Sequence, residues 1–295
     1  FSSADDITVP PLDNGTTPSG TLAAMTSSDN ITWSSTFTPT FPNTQDWDNT
    51  LSLGTNYTDV ENNPGTAATS PNYMVDDIDP STNGVPILTL SSPLLLYGQT
   101  AELRVVFPEP VTSVLPNTSI ASFSSAANIN LDNATGSLTT AMSPIGNGTT
   151  WRRTFTPTNN MEVDNNTITL NASWTDQVGN PGTSVTTSNF KVDTKPPTVS
   201  SFTFSTDNTT FPNTAYPGLK PGDNSTVTLV FSEVVTNFSS AANITANNVD
   251  LDNMTSNDNI TWTGIFTPTN NTSVLENTLR VANGYTDIAG NTGYG

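Results

Sequence analysis

The 295-residue chain has no cysteine and no histidine, and only 7 basic side chains stand against 26 acidic ones. Each shortage removes a class of function. A cysteine nucleophile, a Ser-His-Asp triad, a histidine base and a Cys/His zinc or haem site all need residue types that are missing. Any metal must therefore be held by oxygen. The formal charge of −19 repels phosphate backbones and anionic headgroups, which makes nucleic acid and membrane surfaces poor partners. No apolar run approaches the roughly 18 residues of a spanning helix, and Phe1 opens neither a signal peptide nor a transit peptide.

What fills the chain instead is uncharged polar residues, Thr, Ser and Asn, together with 22 Pro and 18 Gly. Thr is β-branched and stiff at χ1, while Asn, Gly and Pro punctuate turns, so the composition favours strands and turns over helices. A cysteine-free chain fits either the cytosol or disulfide-free surface proteins. Thr and Asn richness with so little Lys points to the extracellular side or the cell surface.

Self-similarity at a long period organises the chain. FSSADDI begins at Phe1, and FSSAANI begins at Phe123 and again at Phe238. Each copy is followed by a Trp four residues before the Phe of an FTPT string: Trp33 with Phe37, Trp151 with Phe155, Trp262 with Phe266. An aromatic-Thr-Asp triplet then closes the series, at Tyr57, Trp174 and Tyr285. Collinear markers define units of about 110 to 120 residues, too long for solenoid turns and the right size for domains with their own cores.

Within a unit the apolar period is two. Ile260, Trp262, Gly264 and Phe266 face one way, and Val227, Leu229 and Phe231 repeat the pattern. Ile31, Trp33, Ser35 and Phe37 are expected to do the same in the first unit, as are Ile168, Leu170, Ala172 and Trp174 in the second. About seven such strands per unit, with Pro/Gly/Asn clusters between them, predict an all-β chain of sandwiches with minor helix content. The three Trp at one repeated inward position read as core anchors, not as sugar-stacking platforms.

VDTKPP at Val192–Pro197 matches VDDIDP at Val75–Pro80 and marks the unit boundaries. The expected division is a partial repeat over 1–76, a complete one over 77–193, and a third over 194–295 that lacks its last strand. Pro stiffens each crossing and no Gly/Ser hinge intervenes, so the beads are expected to form a rod.

VDTKPPTVSSFTF, TVTLVFSEVV, NFSSAANI, NDNITWTGIFTPT and YTDIAGN, in the third repeat, resemble the tandem bacterial Ig-like domains of large surface proteins, including the stalks of repetitive adhesins. The resemblance covers essentially the whole chain and implies Ig-like sandwiches serving as spacer or scaffold. Asn62 stands where the later repeats have Gly179 and Gly290, a tolerable exchange because Asn is the next best residue in a left-handed turn. The first unit lacks opening strands and the third stops before its last. Both are expected to be completed by copies of the chain in a filament or by continuing chain of a longer array.

Calcium is the sharpest chemical candidate. Asp59 precedes Asp76 by the same 17 positions that separate Asp176 from Asp193, which places one carboxylate in a turn and the other at a bead junction. Two Asp with a turn Asn, Asn63 or Asn180, and backbone carbonyls begin an oxygen shell of the kind Ca²⁺ takes. Asp287 lies at the turn position of the third repeat, and Glu109 and Glu233 are outlying members. The resemblance adds that some proteins of this type hold calcium at such junctions. The alternative is that each Asp only caps its turn through backbone N–H groups.

Sixteen Asn-X-Ser/Thr sequons are glycan candidates: Asn14, Asn30, Asn56, Asn117, Asn133, Asn147, Asn165, Asn171, Asn208, Asn224, Asn237, Asn243, Asn253, Asn259, Asn270 and Asn271. Much of that number follows from the composition alone, so occupancy is an open expectation. Acids scattered through repeated turns, with no single unrepeated constellation, argue against a glycosidase or any other enzyme. The chain reads as a non-catalytic structural segment of an extracellular fibre that supplies length, stiffness and self-assembly. The alternatives are an adhesive or carbohydrate-binding module and a spacer in a secreted enzyme.

Overall fold

The computed structural model describes residues 6–12, 15–40, 44–112, 122–132, 135–206, 218–220, 222–247, 249–270 and 277–295. The chain is nearly all β, in short strands whose apolar residues alternate with polar ones. In Ala101–Val106 the pattern is buried, exposed, buried, exposed, buried, the period of a strand with one face on a core.

The second unit shows the full sandwich. One sheet runs in the order Gly136–Leu138, Thr150–Pro157, Ala101–Val106, Ile87–Leu90, with Ser143–Ile145 also paired to Thr150–Pro157. Facing strands are Ile129–Leu131, Ile168–Leu170 and Val185–Thr186, and separately Glu162–Asn166, Phe190–Asp193 and Leu94–Leu96. Leu94–Leu96 pairs with Phe190–Asp193 in parallel, Leu95 opposite Val192. The third unit repeats the first of these sheets with Val199–Thr206, Ser225–Phe231, Thr261–Pro268 and Val249–Leu251.

Each of these two units has its own core. Phe107, Phe123, Trp151 and Trp174 meet in the second, with ring centroids 5.1 Å apart for Phe107–Phe123, 5.0 Å for Phe123–Trp151 and 4.7 Å for Phe107–Trp174. Phe231, Phe238, Trp262 and Tyr285 make the same figure in the third, at 5.1, 4.8 and 4.6 Å. Tilted and edge-on rings of this kind add about 0.5–1.5 kcal/mol per pair beyond their burial. The repeated Phe, Trp and aromatic-Thr-Asp markers are thus one cluster seen along the chain.

The FSSAAN string is not extended throughout. Ser125–Asn128 and Ser240–Asn243 each form a single helical turn. Asn128 Oδ1 accepts from the Ser124 amide at 2.7 Å, and Asn243 Oδ1 accepts from the Ser239 amide at 3.0 Å. The side chain holds the backbone N–H at the start of the turn.

The expected alternation fails in two places. Ile31 is 85% exposed and lies outside any strand, and the corresponding strand of the first unit is only Phe37–Pro39. Asp29 Oδ1 accepts from the amides of Ile31 and Thr32, at 2.9 and 2.7 Å, as Asp258 does before Thr261–Pro268; in the third unit the residues after this turn pair with Ser225–Phe231, whereas among the described residues Phe37–Pro39 pairs only with Gly20–Leu22. Ala172 is likewise exposed, because Ile168–Leu170 ends before it.

Candidate functional site

The aromatic-Thr-Asp triplet builds a turn that recurs three times with the same geometry. The amide of Asp59 donates to the carbonyl of Asn63, that of Asp176 to Asn180, and that of Asp287 to Asn291. Asn62, Gly179 and Gly290 have φ of +67°, +110° and +108°. The left-handed backbone needed there is supplied by Gly twice and by Asn once. Eight residues after each aromatic a Gly lies flat on the ring: a Cβ on Gly65, Gly182 or Gly293 would sit 2.0 Å from a ring atom of Tyr57, Trp174 or Tyr285.

Within this turn the Asp carboxylate is a cap. Asp176 Oδ1 accepts from the amides of Val178, Gly179 and Asn180 at 2.7–2.9 Å, and Oδ2 accepts from Asn180 Nδ2 at 2.8 Å. Asp287 does the same with Gly290 and Asn291. Asp59 and Asn63 repeat it on the surface, where Asp59 accepts only from Glu61 and Asn63. The Asn63 hydrogen bonds hold the Asp59 carboxyl below its ordinary value.

The turns of the second and third units lie against the preceding unit. The spacing of 17 pairs Asp59 with Asp76 and Asp176 with Asp193 within one repeat, but the structure pairs across repeats: Asp76 meets Asp176, and Asp193 meets Asp287 through Asn291. The partner lies about a hundred residues away because the turn is at the leading end of its bead while the VD pair is at the trailing end of the bead before.

At the first junction Asp76, Glu109 and Asp176 are all buried, and one carboxylate oxygen from each lies within 4.8 Å of the other two. Gln45 opposes Asp76 in the strand pair and bridges the cluster, its Nε2 donating to Asp76 Oδ2 at 3.0 Å and to Glu109 Oε2 at 2.7 Å. Asn180 Nδ2 donates across the boundary to the carbonyls of Asp76 and Ile78, at 3.2 and 3.4 Å. Burial, then the neighbouring carboxylates, push Asp76 and Glu109 above their ordinary values against the pull of the Gln45 bond. Glu109 Oε1 is buried and accepts no hydrogen bond, an arrangement that costs about 1–3 kcal/mol or more for a charged group.

Three carboxylates gathered around an unpartnered oxygen, with backbone and amide oxygens nearby, fit a hard cation that takes six to eight oxygens. Asp76, Glu109 and Asp176 are the residues that would hold it. Gln45 is the member that spacing did not reveal; its signal was its place opposite the boundary Asp, which only strand register exposes.

The second junction is built on the same plan with different charges. Asn291 is buried and fully used. Its Nδ2 donates to Asp193 O, Asp193 Oδ1 and Asp287 Oδ2 at 2.9, 3.1 and 2.7 Å, and its Oδ1 accepts from the Tyr97 amide at 2.8 Å. Lys191 Nζ lies 3.4 Å from Asp193 Oδ2 and 3.1 Å from Asp164 Oδ1. Those two carboxylates, Asp164 first, raise the Lys191 ammonium above its ordinary value. Burial and then Asp287, Glu162 and Asp193 push Glu233 up, and Lys195 pulls it down.

Of the sequons, Asn30, Asn56, Asn147, Asn165, Asn224, Asn237, Asn253, Asn259 and Asn270 are exposed and Asn171 is half-buried. Asn243 is 4% exposed and its amide is committed to Ser239 and Asn283. Asn128, its counterpart in the second unit, does the same work without a sequon. Asn14, Asn117, Asn133, Asn208 and Asn271 lie outside the described residues. Trp151 is buried, as expected of a core anchor, and Trp33 and Trp262 are partly so.

Comparison with protein families matches the bacterial Ig-like domain three times in tandem, over residues 8–75, 84–192 and 193–295. No curated protein matches the chain. Among solved structures, that of FdeC, an Escherichia coli adhesin, is similar with 13% identity and a TM-score of 0.38, covering 94% of this chain and 82% of that one. A likeness that weak carries no argument.

Proposed function

The chain belongs to the bacterial Ig-like domain family, and from that premise we propose that it is a structural segment of an extracellular surface fibre, a non-catalytic rod that holds a distal function away from the cell. The observation that carries this reading is the cross-boundary hydrogen bonding of the turn Asn, from Asn180 to Asp76 and Ile78 and from Asn291 to Asp193. Each bead seats its turn on the last strand of the one before, which fixes direction where a linker would leave it free.

The same reading assigns a calcium-type cation to Asp76, Glu109 and Asp176. When bound it supplies positive charge and a shared ligand between beads. Two charged carboxylates within 4.8 Å of each other repel by roughly 3.5 kcal/mol or more at an effective dielectric of 20, a repulsion the ion would offset. Exposed sequons are the places where glycans would sit, and copies of the chain in a filament, or a longer array of such domains, are the partners.

Small-angle scattering of the intact chain tests the rod. An extended profile with a narrow spread of lengths is expected, and Asn180→Ala with Asn291→Ala is expected to broaden it. A parent chain already as broad as the double variant would sink the rod.

An adhesive, carbohydrate-binding surface is the second reading. It is favoured by Tyr97 and Tyr294, 51% and 59% exposed, which flank a shallow groove at the second junction, and a glycan array distinguishes it.

A further inference from the structure

The boundary strings VDDIDP and VDTKPP differ where it matters for charge. Two residues before and two after the boundary Asp, the first junction has Met74 and Ile78, whereas the second has Lys191 and Lys195. No Lys or Arg occurs before Arg104, so the first unit brings no basic side chain to its junction. Opposite the boundary Asp, neutral Gln45 in the first unit is replaced by Glu162 in the second. Across these positions the second junction gains one acid, Glu162, and two lysines, and it loses two acids, Asp77 and Asp79, to Thr194 and Pro196.

We infer that Lys191 and Lys195 do at the second junction what a divalent cation does at the first, so that the whole chain binds one such ion and not two. This rests on the cation reading of Asp76, Glu109 and Asp176. At the first junction a buried oxygen, Glu109 Oε1, is left without a donor. At the second, each oxygen of Asp193 has a partner: Oδ1 accepts from Asn291 and Oδ2 faces Lys191. Glu233 Oε1 also lacks a hydrogen bond, but Glu233 is half-buried where Glu109 is buried, and the charge of exposed Lys195 pulls its carboxyl down against burial and the neighbouring acids. Among the described residues the one group of three acids close enough to share an ion is Asp76, Glu109 and Asp176. An ammonium is tethered and needs no ion from solution, so the second boundary keeps its charge balance at any calcium concentration.

Calorimetric titration of the intact, chelator-treated chain with calcium chloride decides the matter. One ion per chain is expected. Glu109→Gln is expected to weaken binding by at least about tenfold, and Glu233→Gln to leave it unchanged. The pair Lys191→Met and Lys195→Ile is expected to raise the count to two. In the parent chain, hydrogen exchange is expected to slow on calcium addition at Asp76–Ile78 and Asn180 and to stay the same at Asp193–Lys195 and Asn291. That measurement holds even if the lysine variant does not fold. Two ions in the parent chain, or slowed exchange at both junctions, overturn the inference and leave the cation reading intact. No bound ion overturns both.

Discussion

The two junctions share a backbone and differ in how they balance charge. In both, a capped turn rests on the end of the preceding bead, and an Asn side chain carries hydrogen bonds over the boundary. At the first, three buried carboxylates share a neutral Gln and buried Glu109 keeps an unpartnered oxygen; at the second, Lys191 and a fully bonded Asn291 serve Asp193, and the unpartnered oxygen belongs to half-buried Glu233. A repeat protein can therefore keep one geometry at every boundary while varying, by two or three side chains, what each boundary requires from solution.

That contrast can be broken at four places. The largest effect is expected from Asn291→Ala, which strands Asp193, Asp287 and the Tyr97 amide and costs about 3 kcal/mol. Asn180→Ala, at a half-buried site with longer bonds, costs about 1 kcal/mol. Chemical denaturation in chelator measures both, and equal losses would erase the difference between the junctions.

Next comes calcium itself. At about a hundred times its Kd the ion adds roughly 2.7 kcal/mol to the state that binds it. Thermal unfolding in calcium and in chelator is expected to differ for the parent chain and to differ by about half as much or less for Glu109→Gln.

Gly182→Ala and Gly293→Ala drive a methyl group into Trp174 and Tyr285, and each is expected to cost about 2 kcal/mol. Similar losses, read from denaturant midpoints, show that the turns are equivalent scaffolds; a much smaller loss at one separates them.

The smallest effect concerns acid. Backbone N–H groups, those of Thr32 and Thr261 foremost, hold the exposed Asp29 and Asp258 carboxyls at about 2, below the ordinary 3.8. A depressed carboxyl contributes stability that is whole above pH 3.8 and lost as pH falls towards 2. These turns are copies in the first and third units and lie away from both junctions. NMR titration is expected to give matching curves for them with and without calcium, and a calcium-dependent shift would extend the ion's influence beyond the boundary.

Much of the fold was legible because it rests on local pattern. Val227, Leu229 and Phe231 alternate in the sequence and are buried in the structure, and the positive φ of Asn62 follows from its alignment with Gly179 and Gly290. The helical turn in FSSAAN was not legible, since four residues carry no helical period and the controlling bond is from a side chain to the backbone. Of the candidate site, the residue types and the boundary were visible, but the pairing was not. Counting 17 positions joined Asp176 to Asp193 inside one bead, whereas packing joins Asp76 to Asp176 between beads, and Gln45 enters only through strand register.

The parallel pairing of Leu94–Leu96 with Lys191–Asp193 has a mechanical consequence. Leu94–Leu96 follows directly on the entering strand Ile87–Leu90, and Phe190–Asp193 carries the chain out of the bead. A pull on the two ends of the chain slides them past each other lengthwise, so their rungs share the load and must break together. An antiparallel pair at the same place would peel open one rung at a time. Under flow or tugging, this bead is loaded in shear, the direction in which a short ladder of hydrogen bonds resists best.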